Sequence, residues 1–489
     1  MTTAIAPSKN SRAGRGRGGV RWLTLAAGVA LSLGATANDA PGAGAHSAAI
    51  DKVFADFVHA GEPGCSVGVM RNGALVHTSA YGLADVAERK AIDPNSIFNI
   101  ASISKQFTAF SILLLDERKA LSIDDPLIKH VPELSASARG VTLRHLLHHT
   151  GGLRDYEILL RLLGRRYSDG ATQFETIQAL GRQRAANTPP NTVWAYSNSG
   201  YVLLATVVER VSKRSMNQFA AENIFEPVGM RQTTIVDRYP AGLPKLARGY
   251  SPNEKKTGFD VDESAWEQVG DGQVHTTTAD LLLWAENLLT GRVGGQQLVK
   301  RMVEVGKLDS GERHDYAAGL GIAEHNGLPT VSHGGGWAGY RSQFLVFPQQ
   351  HFAVSVFCNR GDAIPSKLAR AVADIFLADE IRRAGKKSPP DDDPQMPTPP
   401  AAQWQPAKLS DYEGVYWSDE AEARCLLVQR GGQLVVEGCM PGYKLQPADD
   451  RQFYVPDIYG RLIFPSQPGQ ASGFTLQTHG LNALAFERQ

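Results

Sequence analysis

Ser102-Ile103-Ser104-Lys105 sets a hydroxyl and an amine three residues apart. On a helix, positions i and i+3 share a face, so this Lys lies beside the Ser hydroxyl. A Ser hydroxyl is a poor nucleophile until a base takes its proton, and a buried Lys can assist that transfer. The helix N-terminus further favours developing negative charge. The pair is weak evidence by itself, since chance supplies a Ser and a Lys at this spacing about once in a chain of this size. Two further groups follow in chain order. Tyr196-Ser197-Asn198 is the only Tyr-x-Asn in the sequence, and His333-Gly334-Gly335-Gly336 follows a strand-like run.

Two rivals compete for the chemistry. Gly64-Cys65-Ser66-Val67-Gly68 matches the G-x-S-x-G elbow, which needs a strand before the Ser and a helix after it. Here a second strand signal follows instead, so Ser66 reads as part of a Gly-flanked first strand. His145, His148 and His149 have the i, i+3, i+4 spacing that can aim imidazoles from one helical face at a metal. No carboxylate or cysteine nearby completes the set. They read as packing or solvated histidines, and neither metal nor cofactor is expected.

The elements that must hold these groups can be sketched from pattern. Cys65 to Met70, a turn at Asn72-Gly73 and Ala74 to Tyr81 predict a β-hairpin. A buried helix starts near Ser102 and carries Phe107, Phe110, Ile112, Leu113 and Leu114. A largely helical stretch runs to about Leu289. Strand signals return at Pro329–His333, Ser342–Phe347 and Phe352–Phe357, with a helix near Lys367–Ala378. Strands first and last with helices between predict an antiparallel sheet built from both ends of the region. Residues 386–406, rich in Pro and Asp, read as a stiff linker, and 407–489 as a small all-β barrel or sandwich.

Ser-x-x-Lys, Tyr-x-Asn and a His-Gly-Gly strand, in that order, resemble the serine β-lactamase and penicillin-binding protein superfamily. The nearest branch holds class C β-lactamases, DD-carboxypeptidases, D-aminopeptidases and esterases. Phe98-Asn99-Ile100-Ala101-Ser102, Leu146-Leu147-His148-His149-Thr150-Gly151-Gly152-Leu153 and Phe225-Glu226-Pro227-Val228-Gly229-Met230 carry the resemblance further, over residues 48–385. His149-Thr150-Gly151 also spells a form of the third motif but precedes Tyr196, so His333 is preferred. The resemblance implies an α/β (α+β) fold: a five-stranded antiparallel sheet flanked by helices, with a helical subdomain. From Tyr412-Glu413-Gly414 onward the tail looks like the lipocalin-like barrel appended to many members.

The same resemblance implies a Ser102 acyl-enzyme, a proton relay of Lys105 and Tyr196, and a substrate amide held by Asn198. The oxyanion hole falls to the backbone N–H groups of Ser102 and Gly336, beside Gly335. Where class C enzymes usually carry Lys-Thr-Gly, this chain has His333. An ordinary His is mostly neutral at pH 7 and grips a substrate carboxylate less firmly than Lys. That weakens the case for an efficient β-lactamase and leaves D-amino-acid amidases, peptidases and esterases. Arg341 could supply a cation instead, although a solvent-facing strand Arg is the plainer reading. The alternatives are a penicillin-binding DD-carboxypeptidase or weak β-lactamase, and a non-catalytic binding or receptor protein.

The 489 residues carry 50 basic and 50 acidic side chains, which argues against nucleic acid as a partner. The balance is uneven. Residues 1–37 hold Lys9, Arg12, Arg15, Arg17 and Arg21 with no acidic residue, then an apolar run from Trp22 to Leu33 and Ala35-Thr36-Ala37. This is the pattern of a secretory signal peptide cleaved near Ala37, too short in its apolar run to span a membrane. Cleavage leaves 45 basic against 50 acidic residues, a net charge of −5 on a periplasmic or secreted protein with no transmembrane segment. Export permits disulfides. Antiparallel strands around Gly431-Gly432 would set Cys425 opposite Cys439 across a three-residue loop. The resemblance implies neighbouring strands for Cys65 and Cys358.

Overall fold

The computed structural model describes residues 43–239, 242–387, 408–449, 451–458, 460–465, 472–478 and 480–489. The expected export segment, 1–37, and nearly all of the expected linker lie outside the described residues. No helix among the described residues is long and apolar enough to cross a membrane.

Six antiparallel strands form the main sheet: β1 Cys65–Arg71, β2 Ala74–Tyr81, β3 Gly321–His325, β4 Leu328–Trp337, β5 Tyr340–Phe347 and β6 Phe352–Cys358. Their spatial order is β3-β4-β5-β6-β1-β2. The sheet therefore closes the first strands of the region against the last, as expected, with one more strand than the five expected. The β1–β2 hairpin turns on Asn72 and Gly73 at φ 53° and 75°. Both central residues of a type I′ turn need positive φ, which explains the Asn-Gly pair.

Every residue of β6 is buried, because the sheet is covered on both faces. On one face α1 (Ala43–Ala55) and a C-terminal helix, Pro365–Phe376, supply Ile50, Phe54, Ala369 and Val372 to a core shared with Val67, Val354 and Val356. On the other, α2 (Lys105–Glu117) and the helices Asn198–Ser212 and Thr278–Thr290 build the larger core around Phe107, Phe110, Tyr201 and Trp284. Helix α2 is buried from Lys105 to Leu115, in line with its apolar residues on nearly every face.

The tail is a closed barrel of eight antiparallel strands running from Gly414–Ser418 to Leu481–Arg488. Its interior is filled by stacked and edge-on rings: Tyr412 on Phe453 and Phe464, Tyr416 on Phe474, and Phe474 on Phe486.

Both cysteine pairs are disulfides: Cys65 with Cys358 and Cys425 with Cys439. Cys65 faces Cys358 across the β1–β6 ladder. In the barrel the register differs from the expectation. Arg430 pairs with Gln433, so Gly431-Gly432 forms a two-residue turn and Cys425 stands opposite Gly438, with Cys439 one residue beyond. Gly431 and Gly432 both have positive φ, 55° and 83°, the condition for a two-residue turn.

Candidate active site

Ser102 lies in a 3₁₀ turn, Ala101–Ser104, that runs directly into α2. With three residues per turn, i and i+3 eclipse, so the turn stacks Lys105 under Ser102 more directly than an α-helix does. Lys105 Nζ is 3.1 Å from Ser102 Oγ. Ala101, just before Ser102, has φ 48°, a left-handed conformation uncommon for a residue with a Cβ. The Asn99 side chain accepts the Ala101 N–H at 2.8 Å and holds that bend.

Lys105 is fully buried, and all three of its protons have acceptors. Besides Ser102 it donates to Asn198 Oδ1 at 2.8 Å and to the Asp271 carbonyl at 2.9 Å. That full satisfaction offsets the cost of removing an ammonium from water. Its Nζ lies 4.9 Å from the centroid of the Tyr196 ring. The Tyr196 hydroxyl has no hydrogen-bond partner among the described residues.

A third helix relevant to the site, α3 (Tyr156–Leu162), brings in a carboxylate absent from the motifs. Asn198 opens its own helix, capped by Ser197, and its Nδ2 donates to Glu157 Oε1 at 2.6 Å. Asn198 therefore bridges Lys105 and Glu157, with one amide hydrogen left over. Burial, reinforced by Asp155 and Asp271, raises Glu157 to about 8. Burial likewise raises Asp271 to about 6, against the pull of Lys105. Tyr156 Oη donates to Asp271 at 2.9 Å. Ser102, Glu157, Asn198, Asp271, Gln268, Gly336 and Trp337 together line a cleft of about 350 Å³.

Strand β4 forms the opposite wall. A Cβ on Gly335 would lie 2.3 Å from the Ile100 carbonyl oxygen and from Ser342 Oγ. Only Gly lets the strand approach the Ser102 turn this closely. Gly336, next along, faces the cleft with Ser102. His333 Nδ1 meets the Gly334 carbonyl, and Nε2 lies 2.9 Å from Tyr316 Oη. A carbonyl only accepts, so Nδ1 carries the proton and Nε2 accepts from Tyr316. Burial, then the Lys105 charge, hold His333 down to about 4. It is neutral at pH 7, and both ring nitrogens are occupied.

The competing candidates fall elsewhere. Ser66 is buried in β1, 3.4 Å from the Thr278 hydroxyl. His145 Nδ1 accepts the Thr142 N–H in a helix cap, while His149 Nδ1 accepts the Ser197 N–H at 3.0 Å. These imidazoles serve different partners, and no group of three or more His, Cys, Asp or Glu among the described residues is arranged to hold a metal. His149 instead packs its ring 4.3 Å from that of Tyr196 and fixes the turn that carries it. Arg341 donates to the Ala338 and Tyr340 carbonyls of its own turn.

A family model described as Beta-lactamase matches residues 50–379. Penicillin-binding protein 4* of Bacillus subtilis is 30% identical over 288 residues, 56% of this chain and 63% of that one. A D-aminopeptidase of Brucella anthropi is 28% identical over 332 residues, 66% of this chain and 61% of that one. The chain thus spans about three fifths of the length of these curated relatives. Among solved structures, the octameric penicillin-binding protein homologue from Pyrococcus abyssi superposes with a TM-score of 0.60 at 22% identity, covering 91% of this chain and 99% of that one. The D-amino acid amidase from Ochrobactrum anthropi SV3, complexed with D-phenylalanine, gives 0.58 at 20% identity over 68% and 99%. At these identities the structural likeness speaks for the fold.

Proposed function

The chain belongs to the beta-lactamase family of serine hydrolases, related to D-aminopeptidases and penicillin-binding protein 4*, and from that premise we propose that it hydrolyses small amides or esters of D-amino acids through a Ser102 acyl-enzyme. The observation that carries an amine-bearing substrate is the pair of carboxylates, Glu157 and Asp271, in the wall of the Ser102 cleft; the D configuration is supported by the similarity to D-aminopeptidases. An acyl group with a free ammonium would find opposite charge there on Asp271, which is mostly ionised at pH 7, and on Glu157 once it gives up its proton. A neutral His333 offers little to a substrate carboxylate.

In this reading Lys105 first gives up one of its three protons to solvent. The free amine then takes the Ser102 proton as Oγ attacks the carbonyl, and that proton passes by way of Tyr196 to the leaving amine or alcohol. The oxyanion is met by the backbone N–H groups of Ser102 and Gly336. Water, activated at Tyr196, then releases the acid and regenerates Ser102. An amine-bearing substrate favours ionised Glu157, which gives up its proton as the ammonium enters. Asn198 transmits that change to Lys105. We further assign the hydrolase to residues 48–385 and the barrel to 407–489, and place the mature protein outside the cytoplasm. The two disulfides support that location.

Penicillin recognition is the second reading, favoured by the 30% identity to penicillin-binding protein 4*. One panel separates the two: D- and L-aminoacyl p-nitroanilides, p-nitrophenyl esters and nitrocefin, run beside Ser102→Ala. Hydrolysis confined to nitrocefin, or activity surviving in Ser102→Ala, would remove the first reading.

A further inference from the structure

The barrel interior is filled with side chains, so its relation to the hydrolase lies on its outside. Three barrel segments grip one short stretch of chain. The Glu420 carboxylate pairs with Arg154, and its backbone carbonyl accepts from Gln183 at 2.9 Å. The Gly480 carbonyl accepts the Asp155 N–H at 2.7 Å, in a contact so close that a Cβ on Gly480 would lie 2.5 Å from Asp155 Cβ. Tyr443 Oη accepts from Arg161 at 3.2 Å. The gripped positions, 154, 155 and 161, bracket the two that face the cleft, Tyr156 and Glu157.

From the last of these contacts a continuous hydrogen-bonded chain reaches the nucleophile. Arg161 donates from one nitrogen to Tyr443 and from another to Tyr167 Oη. Tyr167 Oη donates to Glu157 Oε2 at 3.3 Å. Glu157 Oε1 accepts from Asn198, Asn198 accepts from Lys105, and Lys105 donates to Ser102. We propose that the barrel tunes the active site through this chain, with Tyr443 and Arg161 as positioning residues that fix the place and charge state of Glu157. The proposal deepens the reading above and rests on it for the identity of the substrate.

The charges around Glu157 set the expected sign. Asp155 and Asp271 oppose its ionisation, Arg161 and Lys105 favour it, and Tyr167 is its hydrogen-bond donor. Loosening Arg161 removes a favourable cation, so Glu157 stays protonated to higher pH.

The test compares the full chain with Tyr443→Phe, which keeps the ring, and Arg161→Met. A fluorophosphonate forms an Oγ–P bond at an activated serine and expels fluoride, whatever the natural substrate. Its rate at Ser102 is expected to inflect near pH 8 in the wild type. Arg161→Met should move the inflection up by roughly 0.5–1 unit and Tyr443→Phe by less, in the same direction. With a D-aminoacyl p-nitroanilide, both variants should raise KM several-fold with little change in kcat. Thermal midpoints identify a variant that misfolds, and Tyr443→Phe then carries the comparison. Superimposable pH profiles for the wild type and folded variants overturn the proposal. A shifted fluorophosphonate profile in a protein that hydrolyses neither D-aminoacyl p-nitroanilides nor D-aminoacyl esters supports it while overturning the substrate reading.

Discussion

Lys105 Nζ sits over the face of the Tyr196 ring, 4.9 Å from its centroid, while its hydrogen bonds go to Ser102, Asn198 and the Asp271 carbonyl. The two residues thus have separable parts in the proposed reaction: Lys105 touches the nucleophile, whereas the Tyr196 hydroxyl is free to meet water or a leaving group. Tyr196→Phe should keep the cation–ring contact and still allow Ser102 to be labelled. Its turnover should fall about 10²–10⁴-fold as acyl-enzyme accumulates. Lys105→Met should abolish labelling itself. Intact mass spectrometry of ester-treated enzyme distinguishes the two, and loss of labelling in both would merge their roles.

Glu157 gives a pH signature in stability. Its carboxyl is raised from 4.5 to about 8 in the folded protein, so between those values the native state holds a proton that the unfolded chain has released. Stability therefore falls as pH rises through that window. Glu157→Gln should flatten the decline and exceed the wild type in thermal midpoint at pH 8, with the difference vanishing below pH 4.5. Parallel stability curves would contradict the assigned protonation.

His333 works in the opposite sense. Its folded value of about 4 lies below the ordinary 6.5, so its contribution is complete above pH 6.5 and is lost as pH falls toward 4. His333→Lys places a permanent cation on β4. Acylation by labelled penicillin should rise about tenfold, the worth of one charge-assisted hydrogen bond, and that gain should shrink with salt. No gain would show that the neutral residue is not what disfavours carboxylates.

Gly335→Ala should cost about 10²-fold in kcat/KM. The new methyl meets a backbone carbonyl, that of Ile100, and a side chain, Ser342. Only the second can be trimmed, so adding Ser342→Ala should not restore the rate. Full activity in the single variant would mean that β4 can draw back without harm.

Replacing Cys358 with Ser should destabilise the protein by about 2–4 kcal/mol, with a similar drop in thermal midpoint when the wild type is reduced. Calorimetry with and without reductant measures it. The barrel pair, Cys425 and Cys439, closes a loop of 14 positions and should matter less.

Much of this protein is legible in its sequence where the signal is local. Ser102 and Lys105 stand out because one helical turn relates them, and the β1–β2 hairpin because Asn72-Gly73 demands its own turn. Glu157, Asp271 and Tyr316 had no such mark, since each reaches the site only through tertiary convergence. The third strand, Gly321–His325, carries no clear signal because it is a short edge strand without a continuous apolar face. The barrel register is ambiguous by one in the sequence because a pair of glycines can close either a two-residue or a three-residue turn, and the flanking alternation does not choose between them.

The Cys65–Cys358 bond joins the first strand of the main sheet to the last, 293 positions later. Everything between is a covalent ring. One protease cut anywhere from Ser66 to Phe357 opens that ring into a line and releases nothing: Ser102, Tyr196 and His333 remain parts of one molecule. Two cuts, or one cut and a reductant, are needed to separate them. In a compartment rich in proteases and poor in thiols, a nicked enzyme of this kind stays whole.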